Sequence, residues 1–172
     1  MNPVEDLVRN FQDLVAQVPE LIQPFIVVLA AAVPFIEGEG ASIIGIIGGI
    51  HPVIAGIAAA AGNFLSVLAV VLLGSRVRVA AGARRSGGGG LPDEAQQESK
   101  GRRRFRTWLV RFGVPGASIL GPLAIPTQFT SAILVASGTP RSWVLLWQAV
   151  AIALWTTLSV ILGWLAVTTL AS

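Results

Sequence analysis

Leu21–Ile36, then Glu37-Gly38-Glu39-Gly40, then Ala41–Ile50 and the closing pair His51-Pro52: this stretch decides how the chain folds. The first leg carries Pro24 and Pro34, and the second, shorter leg runs into a proline at its end. At about 1.5 Å per residue the longer leg reaches roughly 24 Å, short of the ~30 Å hydrocarbon core of a bilayer. Two short apolar legs about an acidic, glycine-rich tip read as a re-entrant hairpin spanning 21–50, one that enters and leaves a membrane on the same side. Val53–Leu73 follows, an uncharged run whose polar interruptions are Asn63 and Ser66, and it reads as a full transmembrane helix ending at Gly74-Ser75-Arg76.

The pattern recurs further along. Gly113–Leu123 and Thr127–Gly138 are again short apolar legs, now about Pro122–Pro126, so 113–139 reads as a second hairpin. Pro140-Arg141 closes it, and 143–167 is the second full span. Pro34 and Pro52 stand as far apart in the sequence as Pro122 and Pro140. Matched, proline-bounded, interrupted segments in the two halves point to a transporter built from inverted repeats, with its site near the midplane. Two halves of ordinary full spans with kinked helices are the competing reading.

Composition agrees with a membrane setting. Of the 172 residues 53% are hydrophobic and 12% charged, against about 25% charged in an average soluble chain. Uncharged runs cover 40–75, 113–140 and 142–172, and each is long enough to hold a membrane span. These features exclude a soluble globule, a disordered chain and a disulfide scaffold. With no Cys and one His there is no thiolate, cysteine metal site or multi-histidine zinc centre, and no metal or cofactor is expected.

Each repeat opens with an amphipathic segment. Asn2-Pro3 is a helix start, and Val4, Leu7, Val8, Phe11, Leu14, Val15 and Val18 recur at helical spacing against a polar face, so 1–20 reads as a helix lying on the membrane. The segment 102–112 repeats this, with Phe105, Trp108, Leu109 and Phe112 in one stripe and five Arg off it. Between the halves lies a basic, Gly-rich linker, 77–101. Ten of the 12 basic residues fall between Arg76 and Arg111, opposed by Asp93, Glu94 and Glu98, so the stretch is +7. The positive-inside rule places that linker in the cytoplasm, which accounts for the basic balance without nucleic acid. The acidic N-terminus does not resemble a signal peptide. With the linker inside, the acidic start lies outside, the second hairpin dips in from the cytoplasm, and the halves are inverted.

Glu37 and Glu39 are the sharpest chemical signal, the only acids between Glu20 and Asp93. An acid at the bilayer centre costs about 2.5–3.5 kcal/mol on insertion scales, so it faces protein or a water cavity. There desolvation and mutual repulsion favour the neutral carboxyl, as a proton carrier requires. Gly38 and Gly40 expose backbone amides to a ligand, Thr127 and Gln128 lie opposite at the second tip beside Thr130 and Ser131, and Asn63 reaches either hairpin. Gly45 and Gly49 form a GxxxG for helix packing. Arg111 and Arg141 are lipid-phosphate contacts or topology anchors, and Trp143 and Trp147 mark an interface belt. No HExxH, GxSxG or P-loop is present, so the chain does not read as an enzyme.

Arg111-Phe112-Gly113-Val114-Pro115-Gly116, Pro122, Gly138-Thr139-Pro140-Arg141 and Ala153-Leu154-Trp155 resemble the second half of the DedA (VTT-domain) membrane proteins. Gly62-Asn63 and Leu73-Gly74-Ser75-Arg76 resemble that family's Gly-Asp and Gly-Arg pair. The run from Pro34 to Gly45 is more similar to the related small multidrug export family. Together the matches cover roughly residues 21–167. The resemblance implies facing re-entrant hairpins in the bacterial cytoplasmic (inner) membrane, and roles in membrane homeostasis, drug tolerance, proton-motive force and recycling of polyprenyl-phosphate carrier lipid. Where DedA proteins carry an Arg in the second hairpin this chain has Ser118, and where they carry an Asp in the first span it has Asn63. The proton-coupled acid survives in the Glu37/Glu39 region.

The expectation is therefore an all-α integral membrane protein of two inverted repeats, each an amphipathic helix, a re-entrant helical hairpin and a full span. It acts as a proton-coupled transporter of small amphiphilic compounds or drugs. The alternatives are a flippase of polyprenyl phosphate and a non-transporting scaffold of a membrane complex. Its partners are membrane lipid and a second copy of itself in a dimer.

Overall fold

A computed structural model describes Asp6, Asn10, Asp13, residues 17–86 and residues 113–170, with side chains of the first long helix described to Gly74. Every regular element among them is helical: α1 (Gln23–Ala31), α2 (Glu37–Ile47), α3 (Pro52–Ser86), α4 (residues 113–120, continued by a 3₁₀ turn Gly121–Leu123), α5 (Thr127–Ala136) and α6 (Arg141–Leu170). Short, short, long is the order, twice over. The predicted 102–112 helix, Arg111 and the linker from 87 onward lie outside the described residues. So does most of the N-terminal amphipathic helix, of which Asp6, Asn10, Asp13 and Gln17 are helical and, Asp6 apart, exposed.

The short helices are set by their ends. Pro24 sits in the first turn of α1, where its missing N–H costs nothing. Pro34 disfavours helix at the residue before it, and the chain turns through 32–36. At 11 residues α2 is about 16 Å long, too short to cross a bilayer. It ends in a Schellman arrangement: Gly49 adopts φ +89°, Ile50 N–H donates to the Gly45 carbonyl (2.9 Å) and Gly49 N–H to that of Ile46 (3.1 Å). The end of α5 repeats it, with Gly138 at φ +96°, Thr139 N–H donating to Leu134 (3.2 Å) and Gly138 N–H to Val135 (3.1 Å). Pro52 then starts the first long helix and Pro140 stands directly before the second. At the first, the exposed His51 ring adds a cap, its Nδ1 accepting from Val53 N–H at 3.3 Å.

Two helices are long and apolar enough to cross a membrane, Pro52–Gly74 and Arg141–Thr169. In the core helix of a soluble protein most of the apolar window is buried. Here 33% and 22% are. Ile57 (67% exposed), Leu73, Leu162 and Leu165 face outward, while Asn63, Gln148 and Thr156 are buried. Apolar outside and polar inside is the arrangement a lipid solvent favours. The expected exit at Gly74 is where the apolar stretch ends, but α3 continues to Ser86. Ala, Val and Arg all sustain a helix once it is under way, so the start of the linker (77–86) is helical.

The contacts divide the chain into two compact units, residues 1–67 with 148–172, and residues 68–147. The first holds α1 and α2, the start of α3 and most of α6. Its core is Ile26, Val27, Ala30, Ile36, Ala41, Ile44, Ala55 and Ala59. Small residues let backbones close in. A methyl on Gly45 would lie 3.0 Å from both Ala55 and Val27, and one on Gly56 2.9 Å from Val160. The GxxxG reading is thus split: Gly45 packs, whereas Gly49 faces open space and makes the turn. The half-buried Ser66 hydroxyl on α3 donates to the Ala32 carbonyl at 3.2 Å, satisfying a group that α1 leaves over at its end. Ser66→Ala is expected to lower stability by about 1 kcal/mol, readable as a small fall in melting temperature in detergent.

Candidate functional site

Glu37 and Glu39 do not sit in the connecting turn between the legs, as the sequence suggests. The turn is 32–36, and Glu37-Gly38-Glu39-Gly40 is the first turn of α2. The reason is local. Phe35 and Glu37 take φ of +74° and +50°, a left-handed region costly for residues with a Cβ. This reverses the chain sharply enough for the helix to begin soon after Pro34. Glu37 N–H donates to the Val33 carbonyl (3.1 Å) and Gly40 N–H to that of Ile36 (2.8 Å), which pins the bend. Carboxyl groups in a first helical turn lie at the positive end of the helix dipole.

Glu37 is 6% exposed and Glu39 half-buried. Glu37 is the only buried ionisable side chain among the described residues. The unit that contains it has one Lys or Arg in its sequence, Arg9, which lies outside the described residues. Next to Glu37, Gly38 meets α6. A methyl group on Gly38 would overlap the hydroxyl Oγ1 of Thr156, with the Ala59 carbonyl oxygen of α3 3.7 Å away. Thr156 is 2% exposed and its Oγ1 makes no hydrogen bond. Other helical hydroxyls fold back on their own backbone: Thr130 to Pro126 (3.3 Å), Ser131 to Thr127 (2.7 Å), Thr168 to Trp164 (3.0 Å). Thr156 does not, and its hydroxyl is left beside the acidic turn.

Of the other expected residues, Asn63 is buried on α3, one helical turn beyond Ala59 and so on the same side. A methyl on Gly40 would lie 3.2 Å from the Ile36 side chain. Thr127 and Gln128 belong to the other compact unit. They begin α5 and are buried, as are Ser118, Thr130 and Ser131, and a methyl on Gly121 would lie 3.1 Å from the Thr130 hydroxyl. Arg141 is exposed at the start of α6, followed by Trp143, whose ring meets that of Trp147 edge-on at 5.9 Å. Among the described residues no group of acids and histidines could hold a metal ion.

Sequence reasoning misses Thr156 and Gln148, because 143–167 reads as an apolar block. The signal is there: Gln148, Ile152, Thr156, Val160 and Gly163 fall on one helical stripe, and Gln148 and Thr156 are the polar members.

The contact between Gly38 and Thr156 makes its own prediction. Gly38→Ala is expected to destabilise the chain by about 1–3 kcal/mol through overpacking. Gly38→Ala/Thr156→Ala recovers most of the loss, since the nearest remaining atoms, Thr156 Cβ and the Ala59 oxygen, stand at 3.5 and 3.7 Å. Melting temperatures of the single and double variants check it. Comparison of the chain with protein-family models, curated proteins and solved structures finds no match.

Proposed function

We propose that this chain is an integral membrane transporter, coupled to protons and moving small amphiphilic compounds. In this reading the helix pairs α1–α2 and α4–α5 are re-entrant hairpins, the two halves are inverted repeats, and α3 and α6 are the full spans. The protein resides in the bacterial cytoplasmic membrane with its linker in the cytoplasm, and works as a dimer. The observation that carries the reading is Glu37. A carboxyl that is 6% exposed, held on a strained backbone at the start of a helix too short to span, is costly to keep unless it is used.

The chemistry asked of it is modest. In a carrier cycle Glu37 takes a proton from one side and gives it up on the other, while Glu39, half-buried on the far side of Gly38 in the sequence, tunes its charge. Gly38 admits α6 closely, so a change of charge at Glu37 is felt by the long helix. Proteoliposomes holding the wild-type chain are then expected to accumulate or expel a fluorescent lipophilic compound when a pH gradient is imposed, and to stop when the gradient is collapsed. Absence of gradient-driven movement, with the chain folded and assembling with other membrane proteins, would establish the scaffold reading instead.

A further inference from the structure

We infer that the outward face of α6 about Thr157 is where a second copy of this chain packs, helix against helix, with the two Thr157 hydroxyls hydrogen-bonded to each other. The dimer of the transporter reading thereby gains its contact, which depends on that reading only in taking α6 as a full span. The observation that carries it is the hydroxyl. Thr157 is exposed and lies just past the middle of the apolar stretch Arg141–Thr169. Between Gln148 and Trp164 every other exposed residue of α6 is apolar. A hydroxyl in such a place ordinarily donates to a carbonyl one turn back, as Thr168 does to Trp164 (3.0 Å) and Thr169 to Leu165 (2.9 Å) on the same helix. Thr157 makes no hydrogen bond, either to its own backbone or to a described neighbour. Hydrocarbon offers it no partner, and no water is present at mid-span to take that place.

A threonine hydroxyl is donor and acceptor at once, so another hydroxyl at the same depth answers it. A second copy supplies one. Two copies inserted with the same orientation are related by a twofold axis along the membrane normal, and in such a contact one patch meets itself. Each Thr157 then faces its own equivalent at equal depth. The neighbours suit a close approach. Ala153, one turn before Thr157 on the same face, is exposed and small enough to let two backbones come near. Val150, Ile161 and Trp164 are exposed on either side and add apolar contact. The other span differs. The exposed residues of α3 within this unit, Val53, Ile54, Ile57, Ala61 and Leu65, are all apolar, a face that lipid alone satisfies.

The test is energy transfer between full-length chains labelled at the N-terminus with donor or acceptor dye, in phosphatidylcholine vesicles of varied lipid-to-protein ratio. The wild type is expected to dimerise. Thr157→Val keeps the side chain's shape and removes the hydroxyl, and is expected to weaken dimerisation about threefold to tenfold. Thr157→Ser restores it. Because Thr157 is exposed, the melting temperature of each variant in detergent is expected to hold, which separates a lost contact from a lost fold. The chain has no cysteine, so oxidation gives a second reading: Ala153→Cys is expected to form a disulfide between copies, and Ile57→Cys on α3 is not. Equal dimerisation of Thr157→Val and wild type, or cross-linking at position 57 as strong as at position 153, overturns the inference. The transport reading fails separately: monomers that still drive gradient-dependent flux remove this contact and leave the transporter, whereas dimers cross-linked at position 153 without flux leave the contact and remove the transporter.

Discussion

Glu37→Gln is expected to abolish the pH-dependent part of transport and leave a folded protein. The substitution keeps the side chain's length, shape and most of its hydrogen-bonding capacity, and removes the ability to exchange a proton. Because Glu37 is 6% exposed inside an apolar unit, an amide there is easier to bury than a carboxylate, so the melting temperature is expected to hold or rise. Glu39→Gln is the control. Glu39 is half-buried on the same turn, and its loss is expected to shift the pH dependence of flux rather than remove it. Flux measured against imposed pH gradients in liposomes, beside the melting curve of each variant, separates a chemical from a structural loss. Equal pH-dependent flux in Glu37→Gln and wild type would remove the carboxyl from the mechanism.

The largest structural effect is expected at Gly62. A methyl group there would overlap the backbone carbonyl of Val28, where α3 lies directly against α1. A side chain can swing away from an intruding methyl, but a helix backbone cannot, so Gly62→Ala must push the two helices apart. The cost is expected to be about 3 kcal/mol, at the upper end for overpacking. Gly74→Ala, on the same helix with nothing within 4 Å, is expected to be neutral or stabilising by up to about 1 kcal/mol through helix propensity. The two melting curves in one detergent decide this. Similar losses in both would mean that α1 and α3 do not touch at Gly62.

Much of this architecture can be read from residue order. Prolines at 24, 34, 52, 122 and 140 mark where helices cannot continue, and the uncharged runs between them set which helices are long. The positions of the acids are harder to read. Glu-Gly-Glu-Gly looks like a loop tip, because two glycines weaken a helix, yet the strained Phe35 and Glu37 turn the chain early and the segment becomes the first turn of α2. No local pattern announces a left-handed Phe. Thr156 is hidden for another reason. A hydroxyl in an apolar helix normally satisfies itself against its own backbone, so a lone Thr carries no signal until a neighbour such as Gly38 shows where it points. The equal spacing of Pro34–Pro52 and Pro122–Pro140 is accompanied by similar glycine turns, at Gly49 and Gly138, ahead of the two long helices.

The most direct measurement is the sidedness of the first hairpin. The chain has no cysteine, so single His51→Cys, Leu21→Cys and Phe35→Cys variants can be labelled in oriented membranes without background. The account predicts that a membrane-impermeant maleimide modifies positions 21 and 51 from the same side, and that position 35 resists it from both. Labelling of position 35 from the side opposite to 21 and 51 would make α1 and α2 two crossing helices, and would move Glu37 out of the membrane interior.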